Sequence, residues 1–236
     1  MGAVRTRDKL LDATAEVLAG EGLAGVSARS VAARAEVNQA LVFYHFGSVA
    51  ELVEASVRRS ADLAVATYRN RFDDVASFTE LLTLGRELHA AERDRGNVAQ
   101  MAQVMSGALG DETLARAGRY AMEQWIRQVE TVLGRLLADS PLRGLVEPAG
   151  LARAVGASFI GLELYEGVDA QGATSAMAAL ESLGNLLEMV DGLGPVGTRA
   201  VRSQVRRSGR RTRAGVPTGS TDEAARAATT TRRSGS

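Results

Sequence analysis

Cysteine is absent from this 236-residue chain. That excludes a disulfide framework and any thiolate metal site, and it suits a reducing compartment. Proline is scarce, with four residues in all. Alternating β-branched segments are missing too, so the strand-and-turn signature of a sheet protein is not there. No window approaches ~18 consecutive apolar residues, and the opening "MGAVRTRDKLLDATAEVL" has no apolar signal core. These absences point away from a membrane and towards the cytoplasm. Histidine occurs twice, as His45 and His89. With no H-E-x-x-H and no glycine-rich phosphate loop, no catalytic residue, metal set or cofactor is read from the chain. Glu163 and Glu166 lie one helical turn apart, but neither is followed three residues on by histidine, so the di-iron helix pattern is missing. An enzyme has little to be built from.

Lysine is almost missing as well: Lys9 is the only one among 28 basic residues. The formal net charge of zero hides a split. From Gly197 onward ten arginines face only Asp222 and Glu223, a balance of +8, which leaves −8 on the first 196 residues. Residues 196–236 are Arg-, Ser-, Thr- and Gly-rich with no apolar stripe. Such a segment cannot bury enough surface to offset its ordering entropy, and a disordered Arg-rich tail is expected there.

What the chain does have is helical periodicity from about residue 5 to 193. Leu10, Leu11, Ala13, Val17 and Leu18 form the apolar stripe of a first helix, over about Arg5–Ala19. Ser27 is the N-cap of a second, short helix carrying Val31, Ala32 and Ala35. A turn at Glu36–Val37 follows, and Asn38 caps a third helix reaching about Tyr44. Gly47 breaks the chain, and Ser48 and Glu51 have capping-box spacing for a long fourth helix. Two short helices joined by a tight turn behind a packing helix make a helix-turn-helix; a purely structural three-helix bundle has the same spacing.

The aromatics decide between these. A chain that is 4% aromatic concentrates Phe43, Tyr44 and Phe46 around His45. "VNQALVFYHFGS" (37–48), preceded by "SARSVAARA" (27–35), resembles the recognition-helix signature of TetR-family regulators. The resemblance is specific over residues 5–53. It implies an all-α protein with an N-terminal helix-turn-helix DNA-binding domain (1–48) and a C-terminal helical effector-binding and dimerisation domain (49–195). It implies a homodimer that binds a double-stranded operator and is released by a small-molecule effector, with no membrane partner. The rival class is an architectural DNA-binding protein with neither sequence preference nor effector.

Carried onto this chain, the resemblance places DNA contacts at Ser27, Arg29, Asn38, Gln39, Ala40, Leu41, Phe43, Tyr44, His45 and Ser48. Gln39 is the leading base reader, because its amide matches adenine N6 and N7 together. Ala40 and Leu41 offer apolar contact to a thymine methyl, Tyr44 and His45 grip phosphates, and Ser27 and Arg29 clamp the adjoining backbone. Asn38 is first of all a cap. Val42 and Phe46 should face inward with Val31 and Val37. Three positions depart from the family pattern: Glu36 where glycine is common, Phe43 where tyrosine is usual, and Val49 where a phosphate-binding lysine is usual. Residues 1–48 carry five basic and five acidic side chains, a weak electrostatic footprint for a nucleic-acid binder.

Beyond residue 70 the pattern gives helices over about 77–91, 95–108, 112–138, 148–168 and 174–191. Small residues (Ala154, Ala157, Gly161, Gly184) and leucines interleave in the last two, which resembles the family's four-helix dimer interface. The family's effectors lie between the middle helices, where His89, Met101, Met105, Trp125 and Phe159 could line a cavity; methionine suits a permissive wall.

Overall fold

The structure is a computed structural model that describes residues 2–193, together with Gly197, Arg199, Ala200 and Ser203. The expected tail over 196–236 therefore lies almost wholly outside the described residues. Residues 1–193 cohere as one compact unit. In order the helices are α1 (Gly2–Glu21), α2 (Ala28–Arg34), α3 (Ala40–Phe46), α4 (Val49–Asp73), α5 (Phe78–Asp94), α6 (Asn97–Gly107), α7 (Glu112–Ala138), α8 (Pro148–Glu166) and α9 (Ala170–Asp191). No strand occurs among the described residues, so the all-α expectation holds.

Local chemistry sets most helix starts. The Ser27 hydroxyl accepts from Ser30 N at 3.0 Å, while Ser30 Oγ accepts from Ser27 N at 2.9 Å, a reciprocal capping box with serine in place of the usual glutamate. Ser48 and Ser77 each accept from the backbone N–H three residues on, both at 3.1 Å. Pro148 opens α8, where its missing N–H has no partner to lose. The last helix starts at Ala170, earlier than its apolar stripe suggests, because Asp169 caps it through Gly172 N at 2.8 Å. That bond, with a second from the Tyr165 hydroxyl, holds the Asp169 carboxyl below the ordinary aspartate range.

The first three helices close over a core of Leu10, Leu11, Val31, Ala32, Val42 and Leu52. Val42 is fully buried, and Val37 and Phe46 pack against the cluster half-buried, as the spacing predicted. The turn between α2 and α3 forces Glu36 to φ 55°, alone among described non-glycine residues. A left-handed L-residue there costs about 1 kcal/mol relative to glycine.

α4 belongs to both ends of the molecule. Leu52 completes the first core, while Val53, Val57 and Ala61 share a second with Leu18, Val104, Leu114 and Ala117. The buried Ser56 hydroxyl bonds the Leu11 carbonyl at 3.0 Å. At the far end Arg135 of α7 donates to the Phe72 and Val75 carbonyls at 2.9 and 3.1 Å. That places a cation at the C-terminal end of α4, where the helix dipole favours it. α4 therefore acts as a rigid strut between the N-terminal helices and the α5–α9 bundle.

Candidate DNA interface, effector cavity and dimer face

α3 presents one exposed edge: Asn38, Gln39, Ala40, Phe43 and Tyr44. Phe43 is 51% and Tyr44 78% exposed. Adjacent exposed aromatics on a chain so poor in them point to a surface that some partner covers. Asn38 is a cap: its Oδ1 accepts from Ala40 N at 2.8 Å and its carbonyl from Leu41 N at 3.0 Å. Gln39 follows in that opening turn, its side chain making no capping bond. Leu41 packs half-buried against the N-terminal core, turned away from the edge that Ala40 occupies. His45 is half-buried, set edge-on between Tyr44 (ring centres 4.9 Å apart) and Phe46 (6.4 Å), so it is less open than the two aromatics before it.

Ser27 and Ser48 keep their hydroxyls in capping bonds at the N-termini of α2 and α4. Arg29 is exposed and pairs with no described acid. Arg34, by contrast, is held by Glu16 (3.4 Å) and Glu21 (3.1 Å), and Arg59 by Asp12 (3.0 Å). The neutral charge count of the N-terminal segment thus resolves into internal pairs and a small set of free cations. Arg7 was not foreseen: its guanidinium lies 5.2 Å over the Phe46 ring, which parks a cation at the C-terminal end of α3. Only the fold brings these residues together.

Between α4, α5, α6, α7 and α8 lies a cavity of about 210 Å³. Its walls are mostly apolar, and His89, Met101, Trp125 and Phe159 are among them. Met105 is not; its sulfur packs towards Gly118 of α7, where an added Cβ would stand 3.0 Å from it. Besides His89, the wall holds polar members that the sequence does not mark, Gln100, Glu92 and Glu163. Gln100 is 5% exposed, and its Nε2 has no hydrogen-bond partner. Glu92 is fully engaged: it accepts from Tyr68 at 2.8 Å and Asn97 at 2.6 Å and pairs with Arg95. Burial and the Glu92 bond push the Tyr68 phenol above its ordinary range. Glu163 projects from α8 towards His89 of α5, with Nε2 and Oε2 3.2 Å apart, yet that oxygen is buried without a hydrogen bond. Burial raises its pKa above the ordinary glutamate range. Glu166, one turn on, is 3.8 Å from the same imidazole nitrogen and is paired with Arg93 at 2.6 Å.

A third feature is a free apolar face on α8 and α9. Leu164, Tyr165, Val168, Leu183, Leu186 and Met189 are all 45% or more exposed. Ala154, Ala157 and Gly161 continue this face on α8, and an added Cβ at Gly161 would meet nothing within 4 Å. Gly184 is not part of it: it is buried against α5, where a Cβ would fall 1.9 Å from a Leu82 methyl. Among the described residues no single helix is long and apolar enough to cross a membrane.

Residues 10–56 match the family model described as bacterial regulatory proteins, tetR family. No curated protein matches the chain. Among solved structures, the fold is similar to that of a Rhodococcus sp. protein assigned to the TetR-family transcriptional regulators. The TM-score is 0.64 at 21% identity, over 78% of this chain and 99% of that one. A transcriptional regulator from Saccharomonospora viridis in complex with choline aligns with TM-score 0.59 at 19% identity, over 75% and 93% of the two chains. The multidrug binding protein EbrR complexed with imidazole aligns with TM-score 0.53 at 26% identity, over 74% and 93%.

Proposed function

We propose that this chain, whose residues 10–56 match the tetR-family model, is a TetR-family regulator that represses transcription as a homodimer bound to a palindromic operator, from which a small molecule in the α4–α8 cavity releases it. The exposed edge of α3 carries the reading: short, capped at both ends, bearing Gln39, Ala40, Phe43 and Tyr44, and too small by itself to specify a site. One helix of this kind covers few base pairs, so two copies related by a two-fold axis supply the specificity. Gln39 and Ala40 then meet base edges, while Tyr44, His45, Arg7 and Arg29, with the capped helix starts at Ser27 and Ser48, meet phosphates. That choline and imidazole occupy two structurally similar proteins supports a small-molecule effector here. Selecting bound DNA from a random library tests the reading. An inverted repeat is the expected product; enrichment of nothing would favour architectural binding without sequence preference.

α6 connects cavity to DNA-binding domain. Gln100 and Met101 face the cavity, and Gln103, one turn on, accepts the backbone N–H of Leu23 just before α2. Gly96 and Gly107 let both ends of α6 lie against α1 and its following turn; added Cβ atoms would stand 3.2 Å from the Ala19 methyl and 3.1 Å from a Leu23 methyl. A ligand that favours one position of α6 therefore biases the placement of α2 and α3, the differential contact that allostery requires. Gln103→Ala is expected to leave effector binding intact and to shrink the ratio of operator affinities without and with effector, where such couplings are typically about 1–3 kcal/mol. Paired operator titrations measure it, and an unchanged ratio would place the coupling elsewhere.

A further inference from the structure

Two buried polar atoms in the cavity wall make no hydrogen bond among the described residues: Gln100 Nε2 on α6 and Glu163 Oε2 on α8. An unpaired donor and an unpaired acceptor are each unfavourable when dry, and a carboxylate far more so than an amide. The charges around the α8 side can be counted. Arg93 answers Glu166, Arg95 answers Glu92, and among the described residues the only basic group facing Glu163 at close range is the His89 imidazole, 3.2 Å away. The Glu163 carboxyl has no arginine of its own and borders a mostly apolar chamber near the Phe159 ring, whose centre is 6.1 Å from that of His89. Burial disfavours the ionised form of Glu163, so a cation brought to that oxygen would be favoured there.

We propose that the effector is an organic monocation, a protonated amine or quaternary ammonium on an apolar, ring-bearing body, whose charge sits on the Glu163 carboxylate. This rests on reading the cavity as the effector site and adds the ligand's class. The body fills the space walled by Trp125 and Phe159, and an acceptor atom on it takes up the Gln100 amide. A cavity of about 150 Å³ admits benzene, so 210 Å³ holds a ring with a short chain. A ring face beside the charge adds a cation–π contribution. The competing occupant is a divalent metal on His89, Glu163 and Glu166, whose ligand atoms lie within 4.8 Å of one another. The Arg93 guanidinium on Glu166 opposes it, and a bare ion would leave the apolar chamber and Gln100 unfilled.

Trp125 is the chain's only tryptophan and reports on the cavity by its fluorescence. The probes are 4-phenylbutylamine, its neutral analogue 4-phenylbutan-1-ol, the anionic 4-phenylbutyrate, and Zn²⁺. The amine is expected to bind about tenfold or more tighter than the alcohol, the low end for one charge-assisted hydrogen bond, and to weaken operator binding. Glu163→Gln is expected to bring amine and alcohol to equal affinity with the alcohol unchanged, and to melt no lower than the wild type because a desolvated carboxylate is gone. If alcohol or butyrate binds the wild type as well as the amine does, or if the amine preference survives Glu163→Gln, the cation class is overturned while the cavity remains the effector site. Stoichiometric Zn²⁺ binding lost in both Glu163→Gln and His89→Gln, with no amine preference, overturns it in favour of a metal. If no probe perturbs Trp125 or operator binding, the reading of the cavity itself fails.

Discussion

Leu186→Glu should convert the protein to a monomer and abolish operator binding. Leu186 is 54% exposed on the free face of α9, one turn from Leu183 (56%) and from Met189 (68%). A row of exposed large apolar side chains on one helix face marks a surface that a partner covers. Small residues on the α8 side (Ala154, Ala157, Gly161) let a second pair of helices come close. In a two-fold interface each substitution acts twice, and an unpaired charge in a buried contact costs about 3–5 kcal/mol. Two of them outweigh most of the roughly 8–12 kcal/mol that holds a micromolar-to-nanomolar dimer. Sedimentation velocity and operator titration read the two consequences, and helical circular dichroism should not change. A stable Leu186→Glu dimer would move the interface elsewhere. Leu187→Glu is the instructive control: Leu187 is half-buried within its own chain, so its loss should lower the melting temperature before it touches association.

That contrast shows where sequence legibility ends. Local signals were readable: Ser27, Ser48, Ser77 and Pro148 mark helix starts because capping is a matter of three or four consecutive residues. The helix-turn-helix was readable for the same reason, and its aromatic cluster added a family likeness. Periodicity located an apolar stripe on α9 but not which neighbour it meets. That helix is apolar on two sides, with Leu180 and Leu187 turned partly inward and Leu183, Leu186 and Met189 outward, and only packing separates them. Gly184 likewise belongs to the contact with α5 and not to the free face. His89 was legible as a cavity residue, but its contact with Glu163 was not, because the two are 74 positions apart and meet only when α5 and α8 pack. The same holds for Arg7, whose link to α3 is a cation over the Phe46 ring and not a spacing. At Glu36 a departure from glycine could be seen in the sequence, but the strained backbone that gives it meaning belongs to the turn.

Gln39→Ala should weaken binding to the native operator by roughly 2–6 kcal/mol, about 1–3 kcal/mol per bidentate contact in each of two half-sites. In affinity that is about 30-fold to 10⁴-fold. Gln39 sits in the opening turn of α3, exposed and without a capping role, so removing its amide leaves the fold alone. Its neighbour Asn38 behaves differently. The Asn38 side chain closes the start of the helix through Ala40 N, and Asn38→Ala should cost about 1 kcal/mol of stability while weakening every operator alike. The two-fold axis supplies the sharper measurement. An operator altered at one position in a single half-site should already have lost half of the Gln39 contribution, so Gln39→Ala should harm it only half as much in free energy. An operator altered at that position in both half-sites should bind mutant and wild type equally. Titrating the three operators against both proteins gives a closed cycle. A uniform loss across all base substitutions would make Gln39 a residue that positions the helix, and an unchanged preference profile at full affinity would mean that it reads no base at all.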